Sequence, residues 1–220
     1  IVDLGNHFAT TERDIVEMAT RLASTGAVLG LSEAQILAIA TALSSVGIEA
    51  EAGGSAFSKL LKNIATSVAG YYKVPEIVEQ SGKDMEEWKK LALQGGLSIK
   101  GPANEIGYTT TQMHEIIDGY TMLEEMGELT GRSVEQFVKA WDANPLEALN
   151  DFINALGQVD ENDGGAIQIL EDLGIKEVRM SNATLSLASS NNILTRTLNA
   201  AEEAWDSNTA LNEEASRAYS

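Results

Sequence analysis

Residues 30–61 read GLSEAQILAIATALSSVGIEAEAGGSAFSKLL, and their spacing predicts a helix, a tight acidic turn and a second helix. Ser32 caps the first helix, and Gln35 three residues on completes an S-x-x-Q capping box. Ile36, Ile39, Ala40, Leu43 and Val46 then recur at helical spacing. Leu37, Ala38 and Ala42 make this helix apolar on nearly every side, which places it among other helices rather than on a surface. Gly47 stops it. After Ile48–Ala52 and the Gly53-Gly54 pair, Phe57, Leu60, Leu61, Ile64, Ala65 and Val68 form the stripe of the next helix. Lys59 and Lys62 fall on its opposite, wet face.

Upstream, Thr10 or Thr11 caps a helix carrying Ile15, Met18, Ala19, Leu22 and Ala23. Glu12 and Asp14 lie in its first turn, where the helix dipole favours negative charge. Residues 10–70 thus give three helices on short connections, an antiparallel bundle arrangement. From Gly70 to Gly107 the punctuation thickens. Val74-Pro75 reads as a break, Asp84 as the cap of a helix with Met85, Trp88, Leu91 and Ala92, and Gly95-Gly96 as its end. Gly101-Pro102 reads as a loop running to Gly107. Helices are expected over Thr111–Ile117 and Met122–Leu129, parted at Gly119.

Ser133 and Gln136 form a second S-x-x-Q box, ahead of Phe137, Val138 and Trp141. Asn144-Pro145 is an N-cap and N1 pair opening a helix with Leu146, Leu149, Phe152, Ile153 and Leu156. GLSEAQI and GRSVEQF resemble one another through a shared capping solution, which is not enough for a repeat. Ala166–Leu173 and Ser181–Ala188 are short helices, and Val178-Arg179-Met180 is the one candidate for extended chain. Asn192–Ala218 is the longest helical stretch. Leu194, Leu198, Ala201 and Trp205 follow a 4-3-4 spacing. Asn208 and Asn212 then interrupt it, so the stripe reads as well as a core-facing one.

The formal charge is −18, from 33 acidic and 15 basic residues. That balance argues against a phosphate-binding surface, which rests on Lys and Arg, and equally against docking on anionic lipid. Cysteine is absent, which removes disulfide and thiolate chemistry. There is no apolar run of transmembrane length. The chain starts at Ile1 rather than Met and reads as a piece of a longer protein.

Few residues invite chemistry. Glu49 and Glu51 are paired carboxylates, but two residues apart in a turn, with no aromatic platform, they make a poor glycosidase pair. His7 and His114 lie far apart, outside any metal-ligand spacing. Gly53-Gly54-Ser55 lacks the lysine of a phosphate loop, and there is no G-x-S-x-G elbow. The nearest approach to a known site is Asp160 to Glu171. Asp160, Asn162, Gly165 and Glu171 match positions of a calcium-binding EF-hand loop, and Ile167 follows the backbone-ligand position. Gly164 replaces one required oxygen ligand, and the alternative is an interhelical loop in which Asp163 caps the helix from Ala166. No catalytic, cofactor or metal residue is assigned.

LSEAQILAIATALSSVGIEAEAGGSAFSKLL resembles the core region of phage tail tape measure proteins, in the family named after the lactococcal phage TP901-1. So does the preceding DLGNHFATTERDIVEMATRLASTGAVLGL. The same holds for SVEQFVKAWDANPLEALNDFINALGQV, LEDLGIKEVRMSNATLSLASSN and the NAAEEAWDSNTALNEEASRAYS end. The likeness covers about 1–70 and 122–220, with 71–121 fitting poorly and reading as an insertion. These motifs are structural and hold no catalytic residue. The resemblance favours the plain loop over calcium at Asp160–Glu171.

The resemblance implies a long chain inside the tail tube of a virion, setting tail length and leaving before DNA is ejected. Its partners would be the tail tube protein, tail chaperones and tail-tip proteins, with self-association, and assembly would occur in the host cytoplasm. No direct nucleic-acid binding is expected, and membrane contact only after release. The fold expected is all-α, a compact multi-helix bundle-like domain with little or no β. It forms one helical region, 1–220, with sub-clusters 1–70 and 122–220. Two other classes stand beside the structural one. One is a membrane-active module inserting helix 32–47. The other is a wall hydrolase, for which these residues supply no catalytic groups.

Overall fold

Thirteen α-helices and no strand make up the described residues, 1–159 and 165–218 of a computed structural model, with side chains described as far as Ser207. In order they are α1 (Val2–His7), α2 (Glu12–Val28), α3 (Glu33–Ser45), α4 (Ala50–Tyr71), α5 (Val74–Ser81), α6 (Met85–Leu93) and α7 (Gly96–Glu105). There follow α8 (Thr110–Leu129), α9 (Val134–Ala143), α10 (Pro145–Leu156), α11 (Gly165–Asp172), α12 (Val178–Ala188) and α13 (Ile193–Ala218). The all-α expectation holds.

Several connections share one local solution. Gly30, Gly107 and Gly131 lie in the left-handed region at φ 73°, 80° and 70°. Each ends a helix, and the next amide donates back five residues: Leu31 to the Gly26 carbonyl, Tyr108 to Ala103 and Arg132 to Gly127, at 2.8–2.9 Å. That is the Schellman closure of a helix C-terminus. One residue later a capping box opens the next helix, from Ser32 with Gln35, Thr109 with Gln112 and Ser133 with Gln136. Asp84 and Glu87 repeat the box after Gly82.

The helices assort into two units. The first holds Ile1–Leu61, Ala140–Glu171 and Ile175–Ser220. Within it α3 is the centre: α2, α12 and α13 all pack on it, while α1 touches α2 and α13, and α10 lies on α12. N-terminal helices therefore pack against helices after residue 130. Ala38, Ile39, Ala40, Ala42 and Leu43 are wholly buried, which is why this helix shows no polar face. On α13, Ile193, Leu194, Thr197 and Ala201 are buried while Trp205 is 45% exposed. The stripe there faces the core of its own unit.

The second unit holds Lys62–Lys139 and Asp172–Gly174. Here α6, α7 and α8 pack on one another. Their core joins Val74 and Ile77 to Met85, Trp88, Ile99, Ala103, Met113, Ile116 and Ile117.

Five local readings are corrected. Gly53 and Gly54 do not follow a turn but lie inside α4, which starts at Ala50. A Cβ on Gly54 would fall 2.7 Å from the Arg21 Cβ, so the glycine admits α2 rather than breaking a helix. Gly119 likewise sits inside a continuous α8, where a Cβ would stand 3.1 Å from the Ser67 Cα. Val74-Pro75 starts α5, with proline in the first turn where its missing N–H costs nothing. Gly101 and Pro102 lie within α7, held helical by buried Ile99 and Ala103 despite the bond Pro102 cannot send to the Ser98 carbonyl. Val178–Met180 is the first turn of α12, not extended chain. Met180, Ala183, Thr184 and Leu187 are buried at helical spacing and draw it in. A further short helix, α1, precedes the predicted ones.

Candidate functional site

The residues singled out for chemistry are not brought together. Glu49 is exposed, and its carbonyl accepts from the Gly53 amide at 2.8 Å. Glu51 is exposed in the first turn of α4, where the helix dipole explains it. His7 belongs to the first unit and His114 to the second. Asp160, Asn162, Asp163 and Gly164 lie outside the described residues. Ile167 is 60% exposed and Glu171 exposed on α11. No group of three or more His, Cys, Asp or Glu able to hold a metal occurs among the described residues.

Three polar arrangements stand out instead. In the first unit, a cavity of about 420 Å³ is lined by His7, Phe8, Ser45, Ser186, Ser190 and Arg196, among others. The Arg196 guanidinium rests 5.6 Å over the Phe8 ring. The His7 Nδ1 lies 2.8 Å from the Asp3 carbonyl and 3.4 Å from its carboxylate, one helical turn away. Ser190 Oγ donates to the Ser186 carbonyl. His7 thus shares a cavity with several hydroxyls and hydrogen-bonds to none of them among the described residues. A nucleophile needs such a contact to be activated.

Also in the first unit, Asn150 on α10 and Thr195 on α13 exchange hydrogen bonds at 2.9 and 3.2 Å, and Asn154 donates to the same hydroxyl at 3.2 Å. Asn150 is 8% exposed. Its amide is satisfied, so this cluster clips two helices together rather than offering a binding group. In the second unit, the Lys89 ammonium bridges Glu86 at 2.9 Å and Glu124 at 2.5 Å and lies 5.3 Å over the Tyr120 ring. Tyr120 in turn stacks on Tyr71. Burial alone would lower the lysine pKa, but the hydrogen bonds to Glu124 and Glu86 outweigh it and hold it above the ordinary value. Burial, then Glu124, pushes the Tyr120 hydroxyl up. Burial and the nearby Asp172, Glu128 and Glu124 raise the Glu125 carboxyl.

These arrangements hold helices together; none aligns a nucleophile, a base and an oxyanion site. No helix among the described residues is long and apolar enough to cross a membrane. Helix 32–47, read above as insertable, is spent on the core of the first unit. A family model described as phage-related minor tail protein matches residues 1–126, from α1 through most of α8. No curated protein and no solved structure matches the chain.

Proposed function

The chain belongs to the phage-related minor tail protein family, and from that premise we propose that it is a region of a tail tape measure protein. The observation that carries the reading is the family match falling on a chain whose described residues form helices and no strand. A tail component of this kind has no need of an assembled catalytic centre. As one continuous helix, 220 residues at 1.5 Å each would span roughly 330 Å. The described residues instead form thirteen separate helices, of which α13 has 26 residues. In this reading it either unfolds lengthwise within the tube or acts at initiation, while other segments supply the length.

The proposed location is the tail lumen, with the tube protein, tail chaperones and tail-tip proteins as neighbours. The acidic surface suits a tube that DNA later traverses, because it resists adhesion to phosphate. The test is tail length by electron microscopy in a phage carrying in-frame deletions of the parent gene. Deleting residues 1–220 shortens tails in proportion if the region is part of the ruler. It abolishes tails if the region starts assembly. Tails of normal length sink the tape measure reading.

A further inference from the structure

The two units are nested in the chain. Nearly all of the second is one unbroken stretch, Lys62–Lys139, which the chain enters within α4 and leaves within α9. The first unit is made from both sides of that stretch, Ile1–Leu61 before it and Ala140–Glu171 with Ile175–Ser220 after it. Its closure therefore rests on packing between opposite ends of the sequence. α13 lies on α3 and touches α1, and α12 also lies on α3. Ile39 and Leu43 on α3 and Leu194, Thr197 and Ala201 on α13 are all buried. The Lys59 ammonium, 2.5 Å from the Glu177 carboxylate, spans the same gap in sequence, as an exposed pair of a kind that contributes little.

This topology fixes a load path. Tension applied at residues 1 and 220 crosses from one end of the sequence to the other through the packing of α13 on α1 and α3. Everything between those helices in sequence stays slack until they part. The second unit lies wholly inside the slack, including Asp172–Gly174, the short piece it takes from beyond α11. It also has the means to stay folded once load reaches it. Trp88, Ile99, Met113 and Ile117 belong to a core of its own, and Lys89 ties α6 to α8 through Glu124.

We propose that this nesting is a staging device: under end-to-end tension the first unit opens first, and the second stays folded, off the load path, until it has. At rest the order of unfolding follows the relative stabilities of the two units. Under tension connectivity sets it, because forced unfolding follows the rate at which the loaded contacts part. The use of this order rests on the tape measure reading. A chain drawn lengthwise in a tube frees its two outer stretches before the stretch 62–139.

The experiment is a force ramp on the 220-residue chain in an optical trap. The chain has no cysteine, so one added before Ile1 and one added after Ser220 take the handles without competition. Two rips are expected in fixed order, the first freeing roughly 500 Å of contour and the second roughly 270 Å, at about 3.5 Å per residue. Lys62 and Lys139 are both exposed. With the handles moved to Lys62→Cys and Lys139→Cys, tension bypasses the first unit and only the rip of roughly 270 Å remains. Three results each overturn the proposal: the shorter rip coming first, a single rip freeing the whole length, or no discrete rip between residues 62 and 139. Rip order in a trap and tail length in a phage are read separately, so either idea can fail without the other.

Discussion

At Gly54 one hydrogen atom separates two packed helices. In an open helix, alanine for glycine gains roughly 0.5–1 kcal/mol through the unfolded chain. At Gly54 the added methyl would meet the Arg21 Cβ at 2.7 Å and the Met18 sulfur at 3.2 Å. Arg21 Cβ is fixed to its backbone and cannot swing aside, so the steric term wins. Gly54→Ala is expected to lose about 1–3 kcal/mol, seen as a lower denaturant midpoint at unchanged slope. Glu125 makes a second residue-scale case, of opposite sign. Its carboxyl, raised by burial and by Asp172, Glu128 and Glu124, holds its proton more tightly folded than unfolded. Stability from this group is present at low pH and falls as pH climbs through the unfolded and then the folded pKa. Glu125→Gln should therefore melt higher than the parent at neutral pH. Near pH 3, below the ordinary carboxylate range, the two should melt together. A lower melting temperature at pH 7 would show that the carboxylate has a favourable partner.

Among the elements, those announced by their own neighbours were the legible ones. The boxes at Ser32/Gln35 and Ser133/Gln136 and the cap at Asn144 depend on groups within four residues. Local chemistry is enough to find them. Gly119, Gly53 and Gly54 were misread because their meaning is tertiary. A glycine that ends a helix and one that lets another helix approach look alike in sequence. Pro102 was misread for a related reason, since burial of Ile99 and Ala103 outweighs one lost hydrogen bond. At the candidate site, His7 and His114 fall in different units, and Glu49 and Glu51 are both exposed. The Lys89 bridge was not foreseen, because Glu124 lies 35 residues from it in sequence. The capping boxes yield a prediction of their own. Ser32→Ala should cost about 1 kcal/mol. Ser32→Ala with Gln35→Ala should cost less than the sum of the two, because each side chain satisfies the other's backbone. A denaturant double-mutant cycle reads the difference, and strict additivity would mean the two bonds form independently.

Over the whole molecule the dominant fact is charge. With 33 acidic side chains against 15 basic ones, the folded state holds like charges closer together than the unfolded chain does. Self-repulsion of this kind weakens the compact state and is relieved by screening. The surface ion pairs act the other way. Arg13–Glu17 and Glu135–Lys139 are exposed i,i+4 pairs, of a type that contributes little and loses even that in salt. Which effect wins is a question of number, and a net charge of −18 exceeds what a few exposed pairs offset. Moving from about 10 mM to about 500 mM sodium chloride, where the Debye length contracts from roughly 30 Å to a few ångströms, is expected to raise the melting temperature. A gain on the order of 1 kcal/mol corresponds to about 2–4 °C in a chain of this length. Because sulfate also strengthens apolar burial, chloride is the salt that isolates the charge term. A melting temperature that falls with chloride would show that the paired charges, not the excess ones, govern this fold.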